Sequence, residues 1–85
     1  MNLDELATKY ILKSERVFND IRVFQGCKSI DDRSVREVID EAKRYLEDAK
    51  FYLDRKRFET SLASVAYCEG LLDALRLLGL ADFSW

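Results

Sequence analysis

The sequence contains no histidine and no proline, and only three glycines and two cysteines among its 85 residues. Without histidine, the chain lacks the commonest general base and the commonest zinc ligand of proteins. Without proline, no residue of the chain is expected to break or kink a helix. The two cysteines, Cys27 and Cys68, have no Cys-x-x-Cys spacing. They are therefore expected to be reduced thiols rather than parts of a metal or redox site.

The charge balance argues against nucleic acid as an obligatory partner, although it leaves room for a local basic patch, and the hydropathy excludes a membrane span. Lys and Arg number 14 and Asp and Glu 16, which gives a net charge of −2 and no concentrated positive field for nucleic acid. No apolar run approaches the roughly 20 residues that cross a bilayer. The acidic start, residues 1–5, lacks the basic-then-apolar order of a signal peptide. We therefore expect a cytoplasmic protein without membrane contact, folded as a single domain over residues 1–85.

Apolar residues recur at intervals of three and four in three segments, which predicts three amphipathic helices. No segment alternates at period two, so no strand is predicted. Connections between the segments are short, which favours an up-down-up arrangement. The sequence therefore predicts an all-α, three-helix bundle with more than about 70% helix, the helices spanning roughly residues 3–24, 34–56 and 58–78.

Capping residues predict where two of these helices begin. Asn2, with Glu5 three residues later, is typical of an N-cap followed by a capping box. The start of the second helix has two candidates. Ser34 begins one capping-box pattern, and Ser29 with Asp32 forms a competing one.

The helix ends are predicted by glycine and by charge. Gly26 is expected to close the first helix in a left-handed conformation. The basic turn Arg55–Arg57 places positive charge at the negative end of the second helix. Gly79 is expected to end the third helix, with Leu80 packing back on Leu75 as in a Schellman motif.

Few residues could carry chemistry. Glu69 and Asp73 lie four apart on an otherwise apolar helix, which is compatible with a divalent-ion site. The alternative is a solvated strip with Arg76 as counter-charge, and we expect the strip. Cys68 lies among apolar residues and is expected to pack as a small hydrophobe, while Cys27 has no histidine to serve as its base. No catalytic, cofactor-binding or metal-binding residue is predicted, and the protein is not expected to be an enzyme.

The second helix carries a regular pattern of charge. Four basic residues recur every seven positions, and acidic residues fall between them on the same face. Alternating signs are typical of a self-neutralised, solvent-facing strip rather than of a phosphate-binding ridge. The residues are Arg36, Lys43, Lys50 and Arg57, with Asp40, Glu47 and Asp54 between them.

The third helix is apolar over more of its circumference than two neighbouring helices can cover. Ala66, Gly70 and Ala74 form a ridge of small residues that is expected to let a neighbouring helix approach closely. Uncovered apolar surface is expected nearer the start of the helix, where it would mark an interface. The tail aromatics either fold back over this surface or join it. The candidate interface residues are Phe51, Phe58, Leu62, Val65, Phe83 and Trp85, and the expected partner is another protein or a second copy.

Two segments of the chain resemble a known family. Residues 42–53 read AKRYLEDAKFYL and residues 61–79 read SLASVAYCEGLLDALRLLG. Together they resemble the short archaeal proteins grouped as domain of unknown function 357. The resemblance implies a three-helix bundle in an archaeal cytoplasm, with no established activity and no catalytic residues.

The same hairpin is similar, more distantly, to tetratricopeptide hairpins and to the HEPN helical domains. A single hairpin cannot build the repeat array of the former. Nuclease members of the latter use an Arg-to-His motif, which a chain without histidine cannot contain. The alternative function is therefore a non-catalytic, HEPN-like module that binds nucleic acid or a nucleotide through the basic turn Arg55–Arg57.

Overall fold

The computed structural model describes all 85 residues as three helices and one pair of short strands. The helices take up 72% of the chain, which confirms the predicted all-α, three-helix bundle. The prediction that no strand forms is wrong, because the two residues 22–23 pair with the two residues 81–82 as a short antiparallel ladder. In chain order the elements are α1 Leu3–Asp20, β1 Arg22–Val23, α2 Asp32–Asp54, α3 Phe58–Leu77 and β2 Ala81–Asp82.

The first helix begins as predicted and ends earlier than predicted. Asn2 is its N-cap, and the Asn2 Oδ1 atom accepts the Glu5 backbone N–H at 2.8 Å. The helix stops at Asp20 rather than near residue 24 because the next residues enter the ladder, where Arg22 lies opposite Asp82. Gly26 has a left-handed φ of 82°, but it lies in the loop before α2 and does not close α1.

The second helix begins two residues before the predicted start. Asp31 is the N-cap, and its carboxylate accepts the Ser34 backbone N–H at 2.7 Å. This hydrogen bond holds the pKa of Asp31 below its ordinary value. Neither predicted cap, Ser34 or Ser29, has that role, because an aspartate immediately before the helix provides the acceptor instead.

The third helix ends in the predicted Schellman motif. Gly79 has a φ of 75°, and its N–H donates to the Arg76 carbonyl at 3.0 Å. The Leu80 N–H donates to the Leu75 carbonyl at 2.9 Å, and both leucine side chains are buried. This turn reverses the chain so that β2 runs back beside β1 and the last residues return along the bundle.

Pairs of residues fix how the helices lie against one another. On one side of α2, the Lys50 ammonium contacts Glu15 of α1 at 3.0 Å. On its other side, the Tyr45 ring stacks on Tyr67 of α3 with centroids 5.2 Å apart. The central core lies between these contacts and is extended by a smaller cluster near the ladder. The central cluster contains Ile11, Val17, Ala42, Leu46, Ala49, Val65, Cys68, Leu72 and Phe83, and the smaller one Val35, Leu75, Leu80 and Ala81.

Small residues bring α2 and α3 close together. Ser61 is completely buried, and its Oγ atom donates a hydrogen bond of 2.7 Å to the carbonyl oxygen of Ala49. Ala42 and Ala49 are also completely buried. A buried hydroxyl needs such a partner, since desolvation without one is costly. The buried hydroxyl of Ser61 therefore has its hydrogen-bond partner within the chain, at the close contact of α2 and α3.

Candidate interaction surface

The six residues predicted as an interface do not form one surface. Phe51 is 49% exposed, and Phe58, Leu62 and Trp85 are half-buried. Val65 is 1% exposed and Phe83 is 9% exposed, and both belong to the central core. The expected exposure of Val65 is therefore wrong, because this residue lies on the inner side of α3 between Ser61 and Cys68.

Phe83 and Trp85 fold back between α1 and α3, which was one of the two alternatives for the tail. The Trp85 Nε1–H donates to the Asp73 carboxylate at 2.7 Å, and the Arg16 guanidinium donates to the Trp85 carbonyl at 2.8 Å. The two aromatic rings meet edge to face with centroids 5.1 Å apart. The tail thus covers one part of the apolar surface of α3 that was predicted to be uncovered.

The tail leaves another part of the groove between α1 and α3 open. A cavity of about 380 Å³ lies between Tyr10 of α1 and the first half of α3. Lys13 stands between this cavity and the tail, with its Nζ atom 5.3 Å from the Tyr10 ring centre and 5.9 Å from that of Trp85. The α3 residues that line the cavity are Leu62, Ala63, Val65, Ala66 and Glu69.

A further uncovered apolar surface lies on the side of α3 that points away from the bundle, and we call it the outer face. Tyr67 is 64% exposed, Leu77 82% and Leu78 64%, and the small residues between them are also exposed. A hollow of about 480 Å³, lined only by Ala63, Ala66, Tyr67, Gly70 and Leu71, occupies its first half. The outer face consists of Ala63, Ala66, Tyr67, Gly70, Ala74, Leu77 and Leu78.

The small-residue ridge is part of this outer face. Ala66, Gly70 and Ala74 are all exposed, so the expectation that a neighbouring helix of the bundle covers them is wrong. The inner face of α3 instead contacts α1 and α2 through Ser61, Val65, Cys68, Leu72 and Leu75. Sequence reasoning recognised the ridge but could not tell which side of an almost entirely apolar helix faces the core.

Beyond Glu59 in its first turn, the charged groups of α3 are confined to one border of the outer face. Between residues 60 and 78 the only charged residues are Glu69, Asp73 and Arg76. Asp73 accepts hydrogen bonds from Arg76 at 3.0 Å and from Trp85. Burial raises the pKa of Glu69 above its ordinary value, although the nearby Lys13 ammonium acts in the opposite direction. The predicted solvated strip is therefore partly an internal contact that holds the tail.

The basic turn after α2 is occupied by contacts with its own aromatic residues. The Arg55 guanidinium lies 3.8 Å from the centre of the Phe51 ring, and that of Arg57 lies 5.2 Å from the Tyr52 ring. Lys56 adopts a left-handed φ of 61° at this turn. Phe51 thus packs against the side chain of Arg55, although its own side chain remains 49% exposed.

The groups that could carry chemistry are dispersed. Burial raises the pKa of the Cys68 thiol to about 12, so this thiol is protonated at neutral pH. Cys27 is exposed, and neither cysteine forms a disulfide. No cluster of three His, Cys, Asp or Glu side chains is placed to hold a metal ion. No helix is both long and apolar enough to cross a membrane.

Comparison with known proteins places the chain in a family. A family model described as "Protein of unknown function (DUF357)" matches residues 9–81, from within α1 to the first residue of β2. No curated protein matches the chain, and no solved structure does so either. The matched range includes the hairpin of α2 and α3, which carries the outer face. The chain belongs to the DUF357 family, whose members are proteins of unknown function.

Proposed function

We propose that this protein is a non-catalytic protein-interaction module that binds its partner through the outer face of α3. The observation that carries the proposal is the continuous, uncharged surface from Ala63 to Leu78, in which Leu77 is 82% exposed. Exposed apolar surfaces of this kind are uncommon on isolated soluble domains and mark interaction sites. The proposal moves the interaction surface from the predicted Val65 to the opposite side of the same helix.

A cytoplasmic, non-enzymatic role is part of the proposal. Its support is chemical: the chain has no histidine, and the thiol of Cys68 is buried and protonated. Two unpaired cysteines are usual in a reducing compartment. The alternative, binding of nucleic acid or a nucleotide at the basic turn, has weaker support because Arg55 and Arg57 lie against aromatic rings.

The proposal can be tested by placing a photoreactive side chain at single positions. Position 74 lies on the outer face, and position 40 is an exposed control on α2. We expect irradiation in the native cell lysate to give a protein adduct from position 74 and none from position 40. Adding Leu77→Lys to the position-74 protein should suppress the adduct, since burying an unpaired ammonium in an apolar interface is costly. Equal labelling at both positions, or none at either, would contradict the proposal.

A further inference from the structure

Gly70 has no explanation within the single chain. It lies in the interior of α3 without a positive φ, so the backbone does not require glycine there. A Cβ atom added to it would meet nothing within 4 Å, so packing within the chain does not require glycine either. Glycine nevertheless disfavours a helix relative to alanine. The absence of a side chain is useful at this position only where another molecule approaches the backbone of α3.

Gly70 is the middle of a line of residues whose size changes along the helix. Ala63, Gly70 and Leu77 are seven residues apart, so they lie on nearly the same line, about 10 Å from one to the next. Ala63 lines the hollow of about 480 Å³ at the first end. At the other end, Leu77 is the most exposed large hydrophobic residue in the chain. The outer face therefore has a small side chain, Ala63, and a projecting one, Leu77, at equal distances from Gly70, and the hollow extends from Ala63 to Gly70.

We propose that the outer face binds the outer face of a second copy of this chain, with the two α3 helices antiparallel and a two-fold axis at Gly70. This inference rests on the proposed function and names its partner. The antiparallel arrangement places Leu77 of each copy against Ala63 of the other, and Ala66 of each copy opposite Ala74 of the other. The two glycines meet on the axis, where the helices are closest. A two-fold contact of this kind uses one surface twice and closes on itself.

The charged residues of α3 lie beside the proposed contact and not in its centre. No charged residue lies on the line from Ala63 to Leu77, so two copies bring no like charges together at the centre of the contact. At the border, the two-fold axis places Glu69 and Asp73 of both copies on the same side of the contact, where solvent and salt screen their repulsion, with Arg76 farther from the axis. Asp73 already accepts hydrogen bonds from Arg76 and Trp85, which leaves it less able to attract a basic partner.

The closing experiment exchanges the sizes of the two matched residues and measures the dimerisation constant by sedimentation equilibrium. Ala63→Leu alone brings two large side chains together, and Leu77→Ala alone leaves a cavity, so each should weaken dimerisation by about tenfold or more. The double variant restores a large residue opposite a small one, and it should dimerise more tightly than either single variant. Circular dichroism of each variant verifies that the bundle is folded.

Disulfide trapping tests the orientation independently. In a Cys27→Ser background, Ala63→Cys and Leu77→Cys proteins are mixed under mild oxidation, because only facing residues approach closely enough to bond. We expect a disulfide-linked heterodimer from the mixture and little dimer from either protein alone. Efficient linkage of the Ala63→Cys protein to itself would indicate parallel helices and overturn the antiparallel arrangement.

Failure of this inference can be distinguished from failure of the proposed function. A purified wild-type protein that remains monomeric at millimolar concentration overturns self-pairing. Self-pairing is also overturned if the double variant associates more weakly than both single variants. If a photoreactive group at position 74 then labels a different protein, the interaction module stands with another partner. If it labels nothing, both proposals are wrong.

Discussion

The outward sides of α2 and α3 are made in opposite ways, although the inner sides of both helices pack in the same core. On α2, charged residues of both signs occupy the solvent side, and pairs such as Arg33 with Glu37 and Lys50 with Glu47 form between successive turns. On α3, the outer face contains no charged residue, and its largest side chains, Tyr67 and Leu77, are exposed.

The difference shows that the solvent side of α2 suits an isolated bundle and that the outer face of α3 does not. The charges of α2 keep a helix soluble and contribute only a few tenths of a kcal/mol per pair. Part of the predicted strip is less solvent-facing than expected, since Lys50 is 35% exposed and also contacts Glu15 of α1. That contact links two helices of one chain. Apart from the stacking of Tyr67 on Tyr45 of α2, the outer face of α3 has no such contact within the chain, which is why we assign it to binding.

The sharpest test of this comparison sets the two sides of α3 against each other. Leu72 is completely buried, and Leu77 is 82% exposed on the same helix. Leu72→Ala should lower the free energy of unfolding by about 2–5 kcal/mol, because it leaves a cavity in the core. Leu77→Ala should change it by less than about 0.5 kcal/mol in a dilute, monomeric sample. Urea melts measure both, and a large loss in Leu77→Ala would mean that Leu77 supports the monomer.

The tail provides a second test, on the flank of α3 that the chain does cover. Trp85→Phe removes the indole N–H that donates to Asp73 at 2.7 Å, and Asp73→Ala removes the acceptor. Each should cost about 1–2 kcal/mol, and the two costs should not add, because they share one hydrogen bond. A double-mutant cycle measured by thermal unfolding gives the coupling. Full additivity would mean that the hydrogen bond contributes nothing and that the tail is held by ring packing alone.

Local signals predicted the fold because each acts over a few residues. Asn2 accepts the N–H three residues ahead, and Gly79 with Leu80 closes α3, and both arrangements are present. Two boundaries were wrong, the end of α1 because of a distant partner and the start of α2 because of a different local cap. The residues after Asp20 bond to a strand about sixty positions later in the chain, and Asp31 is a nearer acceptor for the start of α2 than the predicted serines.

The candidate surface was harder to predict, and the reason lies in α3 itself. Where one side of a helix carries the charged residues, as in α2, the uncharged side is predicted to face the core. In α3 almost every position from Leu62 to Leu78 is apolar or small, so spacing alone does not distinguish Val65, which is buried, from Ala66, which is exposed. The rotation of α3 is set by the packing of its inner face, Ser61 and Cys68 included, against the other helices.

The role of Gly70 separates the needs of the monomer from those of the interface. Gly70→Ala should raise the free energy of unfolding of the monomer by about 0.5–1 kcal/mol, because alanine favours the helix and the added methyl group has free space. The same change should weaken self-association, since the methyl group holds the two helices apart. Chemical denaturation of a dilute sample and sedimentation of a concentrated one measure the two effects. Loss of monomer stability would mean that glycine is needed within the bundle after all.

The smallest expected effect concerns Glu69, at the border of the outer face. Burial raises the pKa of this carboxyl, so the folded chain retains a proton that the unfolded chain has already released. Stability therefore falls as the pH rises from the ordinary glutamate value through the raised one. Glu69→Gln removes the charge and should stabilise the protein by about a few tenths of a kcal/mol at pH 7, since solvent screens a half-exposed group.

At about pH 3 the gain should vanish, because the glutamate is then protonated in both states. Asp48→Asn, at an exposed position of α2, controls for the loss of one negative charge elsewhere on the chain. Melts of the three proteins at both pH values measure the differences. A gain of equal size at both pH values would show that glutamine simply packs better than glutamate beside Tyr10 and Leu62. Glu69 would then differ from an exposed carboxylate of α2 in how its side chain packs and not in the burial of its charge.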